Sequence, residues 1–411
     1  NDYVTPALVR SELGQNSAAC PDCTTRFPAN YFTDGTQRPG FKKAFQPRVG
    51  LNYALDKAGK TSVFGAFGVY YDRSNYNNGL DEKFRLQYKV INIAFSADGL
   101  PRNGNPTTIW DPKYLSKAGL DALVATGTAG NPEAFLIDNN TKPPHSNMFS
   151  VGARHSTGDL IFSVTYTGVR SYNGYTYIFG TRNAAGGCCV SVSPKFGNVL
   201  LSNNDPRTWY DATTFQIDKP YRFAGKTHYA WGGGLFYTLA NAQQQGGDLF
   251  SLDYIDPKHY PKSGTDANQR HTIVGNWIVD VPLLFGSQFS GVLNLGSGDK
   301  YLINDCTAGY DPGQCKLNRG TGERADSLKG NFLIGKWGFR NVDMRLRKDL
   351  PQIGGTRIGI MADLFNAFNF TNYGCFEGFK PKLPEVNANV GNASCVISDG
   401  RRFQLGAQID W

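Results

Sequence analysis

The chain is poor in charge: Asp, Glu, Lys and Arg make up 18% of its 411 residues, against about a quarter in ordinary soluble domains. No apolar run approaches the ~18 residues that a membrane-spanning helix needs, so the sequence excludes a helical membrane protein. The opening residues, NDYVTPALVRSELG, lack a basic start and an apolar stretch, so they do not read as a signal peptide. An exported protein without that segment is expected to be a mature form or a fragment. No HExxH, GxSxG or Walker lysine motif occurs. The five histidines, at 145, 155, 228, 259 and 271, show no ligand spacing, and no EF-hand pattern is present. Gly320 to Ala325 mimics a dinucleotide fingerprint but has no βαβ frame around it. The expectation is therefore no enzyme, no cofactor and no metal. Nucleic acid is not an expected partner either, because the chain has no Lys/Arg-rich run and no recognition motif.

What the chain does have is 13% aromatic residues and 48 glycines, with a mean hydropathy of -0.39. These fit a membrane barrel with aromatic girdles, whose alternating strands and polar loops dilute the hydropathy signal. They also fit a secreted all-β protein. The net charge of +8 favours either anionic groups such as lipopolysaccharide phosphates or, the preferred reading, charge scattered over loops and lumen.

The last ten residues, RFQLGAQIDW, are the most telling. Phe403, Leu405, Ala407, Ile409 and Trp411 share one face of an extended strand; Gln404, Gly406, Gln408 and Asp410 share the other. An aromatic-terminated strand of this kind closes outer-membrane β-barrels, with lipid outside and a polar lumen inside. A soluble sandwich can end in the same way, so the connections have to decide.

Strand-like segments fall at 46–55, 61–72, 146–156, 158–170, 207–219, 224–240, 267–281, 284–296, 339–350, 355–368 and 401–411. Short turns rich in Gly, Pro, Asp or Ser alternate strictly with long polar connections, roughly 73–145, 171–206, 241–266, 297–338 and 369–399. Soluble sandwiches have no reason to lengthen every second connection. Outer-membrane barrels do, with short periplasmic turns and long extracellular loops. Residues 84–97 are also strand-like, but a membrane strand there would break the alternation, so they are assigned to an outer loop. Residues 1–45 are read as an extracellular loop segment and 46–411 as barrel.

All eight cysteines lie in the long connections or before residue 46, in local pairs: Cys20 with Cys23, Cys188 with Cys189, Cys306 with Cys315, and Cys375 with Cys395. Even, local pairing favours disulfides in an oxidising compartment. Pairing of Cys20 and Cys23 across to Cys188 and Cys189 stays open. A redox or zinc role for CPDC has neither a second CxxC nor a βαβ context to support it.

Charges fall on the polar strand faces. Arg48 and Arg154 oppose apolar neighbours, and Asp343, Arg345 and Arg347 share one face of the strand at 339–350. In a barrel they point into the lumen. Asp363 and Asp410, on the next two strands, are candidate partners. A structural ion-pair ladder is preferred to a substrate relay.

Eleven strands in an up-and-down order cannot close as an all-antiparallel ring, and open edges are not viable in lipid. Several segments, in order, resemble the C-terminal half of TonB-dependent outer-membrane transporters of the Oar-like group, which carry a carboxypeptidase-regulatory-like domain. They are FQPRVGLNYAL, GKTSVFGAFGVYYDR, SNMFSVGARHSTGDLIFSVTYTGVRS, YDATTFQIDKPYRFAGKTHYAWGGGLFYTLANA, NQRHTIVGNWIVDVPLLFG, SGVLNLGSGDKYL, NVDMRLRKDLP and IGIMADLFNAFNFTNYG, together spanning roughly residues 46 to 411. The resemblance implies a barrel of about 22 strands closed by a plug. It also implies import of a bulky nutrient, energy from an inner-membrane TonB complex, and an N-terminal half that holds plug and TonB box. Lipopolysaccharide and outer-membrane lipid are the implied surroundings. The alternative is a structural or adhesive barrel whose disulfide-stapled loops bind partner proteins or a surface layer.

Overall fold

A computed structural model describes residues 3–14, 27–38, 40–72, 76–87, 93, 95–100, 107–125, 131–182, 192–223, 229–247, 249–265, 269–282, 286–298, 301–309, 315–319, 337–352 and 354–411. Eleven antiparallel strands lie side by side in chain order. They are β1 (Arg48–Ala54), β2 (Thr61–Tyr71), β3 (His145–Thr157), β4 (Leu160–Tyr172), β5 (Arg207–Lys219), β6 (Trp231–Gln245), β7 (His271–Val281), β8 (Ser287–Gly296), β9 (Phe339–Asp349), β10 (Arg357–Phe365) and β11 (Arg402–Asp410). A two-residue strand, Ser263–Gly264, adds beside the end of β6. β1 and β11 are the two ends of the sheet: β1 pairs with β2 and β11 with β10, and among the described residues they do not pair with each other.

Consecutive antiparallel neighbours put alternate connections at opposite ends, so every short turn lies at one end and every long connection at the other. The turns are built for tightness. Thr157 faces Leu160, leaving only Gly158 and Asp159 to reverse the chain. Gly158 takes φ +56°, where a side chain would be strained. In the first turn the Asp56 carboxylate accepts from the Lys60 and Thr61 amides at 3.0 and 2.5 Å.

The sheet is a single layer. Its register carries one face across all eleven strands through rows such as Val49–Phe67–Phe149–Gly168 and Leu346–Ala362–Leu405. On that face large apolar side chains stand in the open: Leu51 is 72% exposed, Phe215 50% and Leu405 68%. A soluble domain does not leave so broad an apolar surface uncovered. The opposite face is mixed, with hydroxyls and amides joined across strands: Ser163 donates to Gln216 at 3.2 Å, and Thr214 meets Thr238 at 3.0 Å. Phe64, Val274 and Val292 also lie on it, so the face is polar without being purely so.

Girdles bound the apolar face. On β5 it runs from Trp209, beneath Lys262 at 4.3 Å and with the Arg170–Asp211 pair (2.7 Å) just inside that margin, to Lys219, which sits 4.4 Å from the Trp231 ring. Ten residue steps separate Trp209 from Lys219. At ~3.3 Å per residue and a ~40° tilt this spans about 25 Å along the membrane normal. That is the height of an outer-membrane barrel's lipid band.

The buried apolar clusters lie in the long connections and the segment before β1. Helix Ala7–Leu13, preceded by Pro6, buries Val9 and Leu13 against Phe27, Phe32, Leu136 and Val199. A small sheet joins Ala134–Leu136, Val199–Asn203 and Thr176–Phe179. Residues from before β1, between β2 and β3, and between β4 and β5 thus form one cap. The strand-like reading of 84–97 is corrected where the structure describes it: Tyr76–Gln87 is a helix, and among the described residues of that stretch only Phe95–Ser96 forms a strand. Its reason is packing. Glu82 and Leu86 fall one helical turn apart, and both turn toward the cap. The sixth strand also shifts, to Trp231–Gln245 from the expected 224–240, because its pairing with β5 starts at Gly233 and carries on to Gln245, opposite Arg207.

Candidate functional site

Every residue read as lumen-facing lies on the face opposite the apolar band: Arg48, Arg154, Asp343, Arg345, Arg347, Asp363 and Asp410. Arg345 and Asp363 face each other in register and form a two-pronged pair, 2.5 Å from Nε and 2.9 Å from Nη2. The planar guanidinium suits that geometry. Arg347 donates to Asp349 at 2.8 Å and to Gln408 at 2.9 Å. Asp410 is not a partner of β9. It sits opposite Arg357, beyond the Arg347 row, and accepts from Gln408 instead. Asp343 accepts from the Asn366 amide at 2.8 Å and from Asn341 at 2.9 Å, fixing the start of the last long loop. Arg48 rests 4.5 Å from the Tyr70 ring. Arg154 lies between Ser62 and Ser163, with no ionic partner among the described residues.

Toward the long-loop end of the same face, small side chains leave a hollow of about 480 Å³. Ala240, Ala242 and Gly296 form its floor, while Tyr210, Asn294 and Phe339 rise around it. Its lining is neutral, so it offers hydrogen bonds and ring faces rather than charge.

The outer cap is held by an ion pair that the sequence reading missed. Arg38 reaches Glu82 at 2.5 and 2.8 Å, and the Glu82 side chain is only 1% exposed. Glu82 also accepts from the Ile137 amide at 3.0 Å, and Arg38 donates to the Ile137 carbonyl at 2.8 Å. The pair is 44 residues apart in sequence; periodicity carries no signal for it. The apolar Val9, Leu13, Phe27 and Phe32 in a polar leader were the one legible hint.

The cap also buries tyrosines. Burial first, then Asp138 and Asp205, push the Tyr31 hydroxyl up to about 12. Burial raises Tyr3 and Tyr177 as well. An unfolded tyrosine ionises near 10, so these phenols favour the closed cap below that pH. The stabilisation is full below pH 10 and drains away as pH rises toward 12. Hydrogen exchange should therefore show cap amides losing protection between pH 10 and 12 while β3 to β6 keep theirs. Equal protection of the cap across that window contradicts the assignment.

The last two long loops form a second outer unit. Leu302–Asp305 pairs with Lys316–Arg319 and, in parallel, with Phe379–Lys380. Cys306–Cys315 and Cys375–Cys395 are disulfides. Asn372 braces this unit on β9, exchanging two 2.8 Å bonds with the Arg340 backbone. Cys20, Cys23, Cys188, Cys189 and the stretch Gly320 to Ala325 lie outside the described residues. Among the described residues no group of three or more His, Cys, Asp or Glu is placed to hold a metal ion, and no helix is long and apolar enough to cross a membrane.

A single-layer antiparallel sheet with a girdled apolar band defines an integral outer-membrane β-barrel domain. The model of the outer membrane beta barrel domain family matches residues 26–305, and the chain belongs to that family. No curated protein matches it. Among solved structures it is similar to the outer membrane transporter YddB from Escherichia coli, with a TM-score of 0.52 and 12% identity over 88% of this chain and 40% of that one. At that identity the likeness speaks for the fold. The FpvAI-pyocin S2 complex (TM-score 0.44, 11% identity, 88% of this chain and 33% of that) and the copper transporter OprC (0.40, 9%, 88% and 38%) are more distant likenesses. The chain spans about two fifths of the length of the YddB transporter.

Proposed function

We propose that this chain forms the C-terminal part of the barrel of a TonB-dependent outer-membrane transporter, which imports a bulky nutrient through a plugged lumen. The observation that supports it most is the charged inner face on a sheet with open edges. Arg345 stays half exposed after pairing Asp363, and Arg48 and Arg154 stand exposed on the same face. An open edge in lipid has unpaired backbone groups, so β1 and β11 call for further strands. A wider barrel leaves a lumen that a plug fills. The proposed partners are the N-terminal half with its plug, the TonB complex reached through it, and the surrounding lipopolysaccharide and lipid. The outer cap and the 480 Å³ hollow beneath the long-loop end would then line the entry path.

The test uses the whole protein in a planar bilayer. Native protein should show no steady conductance, and urea that unfolds the plug should open a large one. A large steady conductance without urea overturns the plugged-transporter reading. A second reading, a structural or adhesive barrel, is favoured by the disulfides that tie the outer loops. It requires the whole protein to hold a surface partner equally well in cells with and without TonB.

A further inference from the structure

We propose that the hollow at the long-loop end of the inner face is a subsite for a neutral saccharide, so that the bulky nutrient is an uncharged glycan. The inference rests on the transporter reading and names the class of its substrate. The sheet builds the hollow row by row. Thr214, Thr238, Thr272, Gly296 and Phe339 stand opposite one another from β5 to β9. Ala240 and Ala242 keep the floor low on β6, beside Tyr210. A Cβ at Gly296 would come within 1.8 Å of Gln269 Oε1, so only glycine lets that amide lie down on the sheet.

The polar groups that converge here are unspent. Tyr210, Gln269, Thr272 and Asn294 line the hollow half-buried. Among the described residues none of their side chains hydrogen-bonds to another protein group. Other amides of the same face are committed to carboxylates: Asn341 donates to Asp343 at 2.9 Å, Gln288 to Asp280 at 3.1 Å and Gln408 to Asp410 at 3.2 Å. A half-buried donor or acceptor left without a partner costs free energy until water or a ligand takes it.

The chemistry of the lining selects the ligand. Two primary amides and two hydroxyls present donors and acceptors together, and so match sugar hydroxyls, which are both at once. The rings of Tyr210 and Phe339 and the alanine floor offer apolar surface to the C–H faces of a pyranose. Among the described residues no Lys, Arg, Asp or Glu lines the hollow. Arg270 follows Gln269 in the chain but is exposed and takes no part in the lining. Asp343 lies one row beyond Asn294, toward the short-turn end, and is committed to Asn341 and the Asn366 amide. An anionic chelate would meet no counter-charge in this lining, and a neutral sugar needs none. The volume, about 480 Å³, falls within the ~300–1,000 Å³ of small-ligand sites.

The test is isothermal titration calorimetry of the full-length protein in detergent. The neutral probes are hexasaccharides of glucan, galactan and mannan; the charged probes are hexagalacturonate and a ferric tris-catecholate chelate. Wild type should bind at least one neutral hexasaccharide more tightly than either charged probe. The permethylated form of that sugar, which keeps the ring faces but has no hydroxyl donor, should not bind. The Gln269→Ala, Asn294→Ala double variant should lose about twenty-fivefold in affinity, roughly fivefold for each amide removed. Equal affinity in the double variant overturns the proposal. So does binding of none of the three neutral sugars, preference for a charged probe, or equal binding of the permethylated sugar, and these are read on the wild type, whatever the variant's folding. No arm depends on the plug or on TonB. A barrel that conducts without urea yet binds the sugar refutes the transporter reading and keeps the site; a plugged barrel that binds only the chelate does the reverse.

Discussion

Replacing Glu82 with alanine should release the outer cap while the strands below it stay formed. The carboxylate is almost fully buried, takes both prongs of Arg38 and accepts from the Ile137 amide. Its removal leaves the Arg38 guanidinium without its counter-charge, held only by Asn139 and the Ile137 carbonyl, and leaves the Ile137 amide without its carboxylate acceptor. Breaking one side of a buried pair costs about 3–5 kcal/mol. Hydrogen exchange followed by mass spectrometry is the readout. Amides around 134–137 and 199–203 should exchange on the timescale of exposed loops, while β3 to β6 remain protected. Glu82→Gln should be milder, because an amide oxygen still accepts from Ile137. Unchanged cap protection in Glu82→Ala means that the apolar cluster of Val9, Leu13 and Phe32 holds the cap without the pair.

Phe215→Arg and Gln216→Arg should differ sharply although they are adjacent. Phe215 lies on the apolar face, six residues from Trp209 and four from Lys219. That is close to the middle of the lipid band. An arginine at the midplane of a barrel's lipid face costs ~2–4 kcal/mol. Gln216 points to the other face, between Ser163 and Phe236, where a cation meets water and polar neighbours at little cost. Urea titration of the protein folded in lipid vesicles should show the midpoint falling for Phe215→Arg and scarcely moving for Gln216→Arg. The reverse order means that the two faces have been exchanged. The same rule assigns Phe403, Leu405, Ala407 and Ile409 of β11 to the lipid side and Gln404, Gln408 and Asp410 to the lumen, since β11 continues the register through β10.

These two tests separate two kinds of information. The alternation in RFQLGAQIDW, NVDMRLRKDLP and the other strand segments is a local property. Side chains two apart share a face whatever the rest of the chain does, so eleven strands, their order and their two faces were legible in the residues. The turns were equally local: Gly158 with Asp159, and Asp56 with its two amides, define reversals within a few residues. The alternation of short and long connections then placed the loops at one end without any tertiary input.

Long-range pairing was not legible in that way. That Arg345 meets Asp363, while Asp410 is left to Gln408, depends on the register between strands, which slips by whole rows without altering either strand's pattern. The helix at Tyr76–Gln87 looked strand-like at its end, because its apolar residues answer to the cap rather than to a sheet face. The cap itself draws on three segments far apart in sequence, and its Arg38–Glu82 pair exists only once they meet. Sequence by itself determined the barrel sheet, because each strand carries its own two-sided chemistry. Only the tertiary structure decided the cap and the rungs of the inner face, because each of these is a relation between residues whose separation along the chain says nothing about their distance in space.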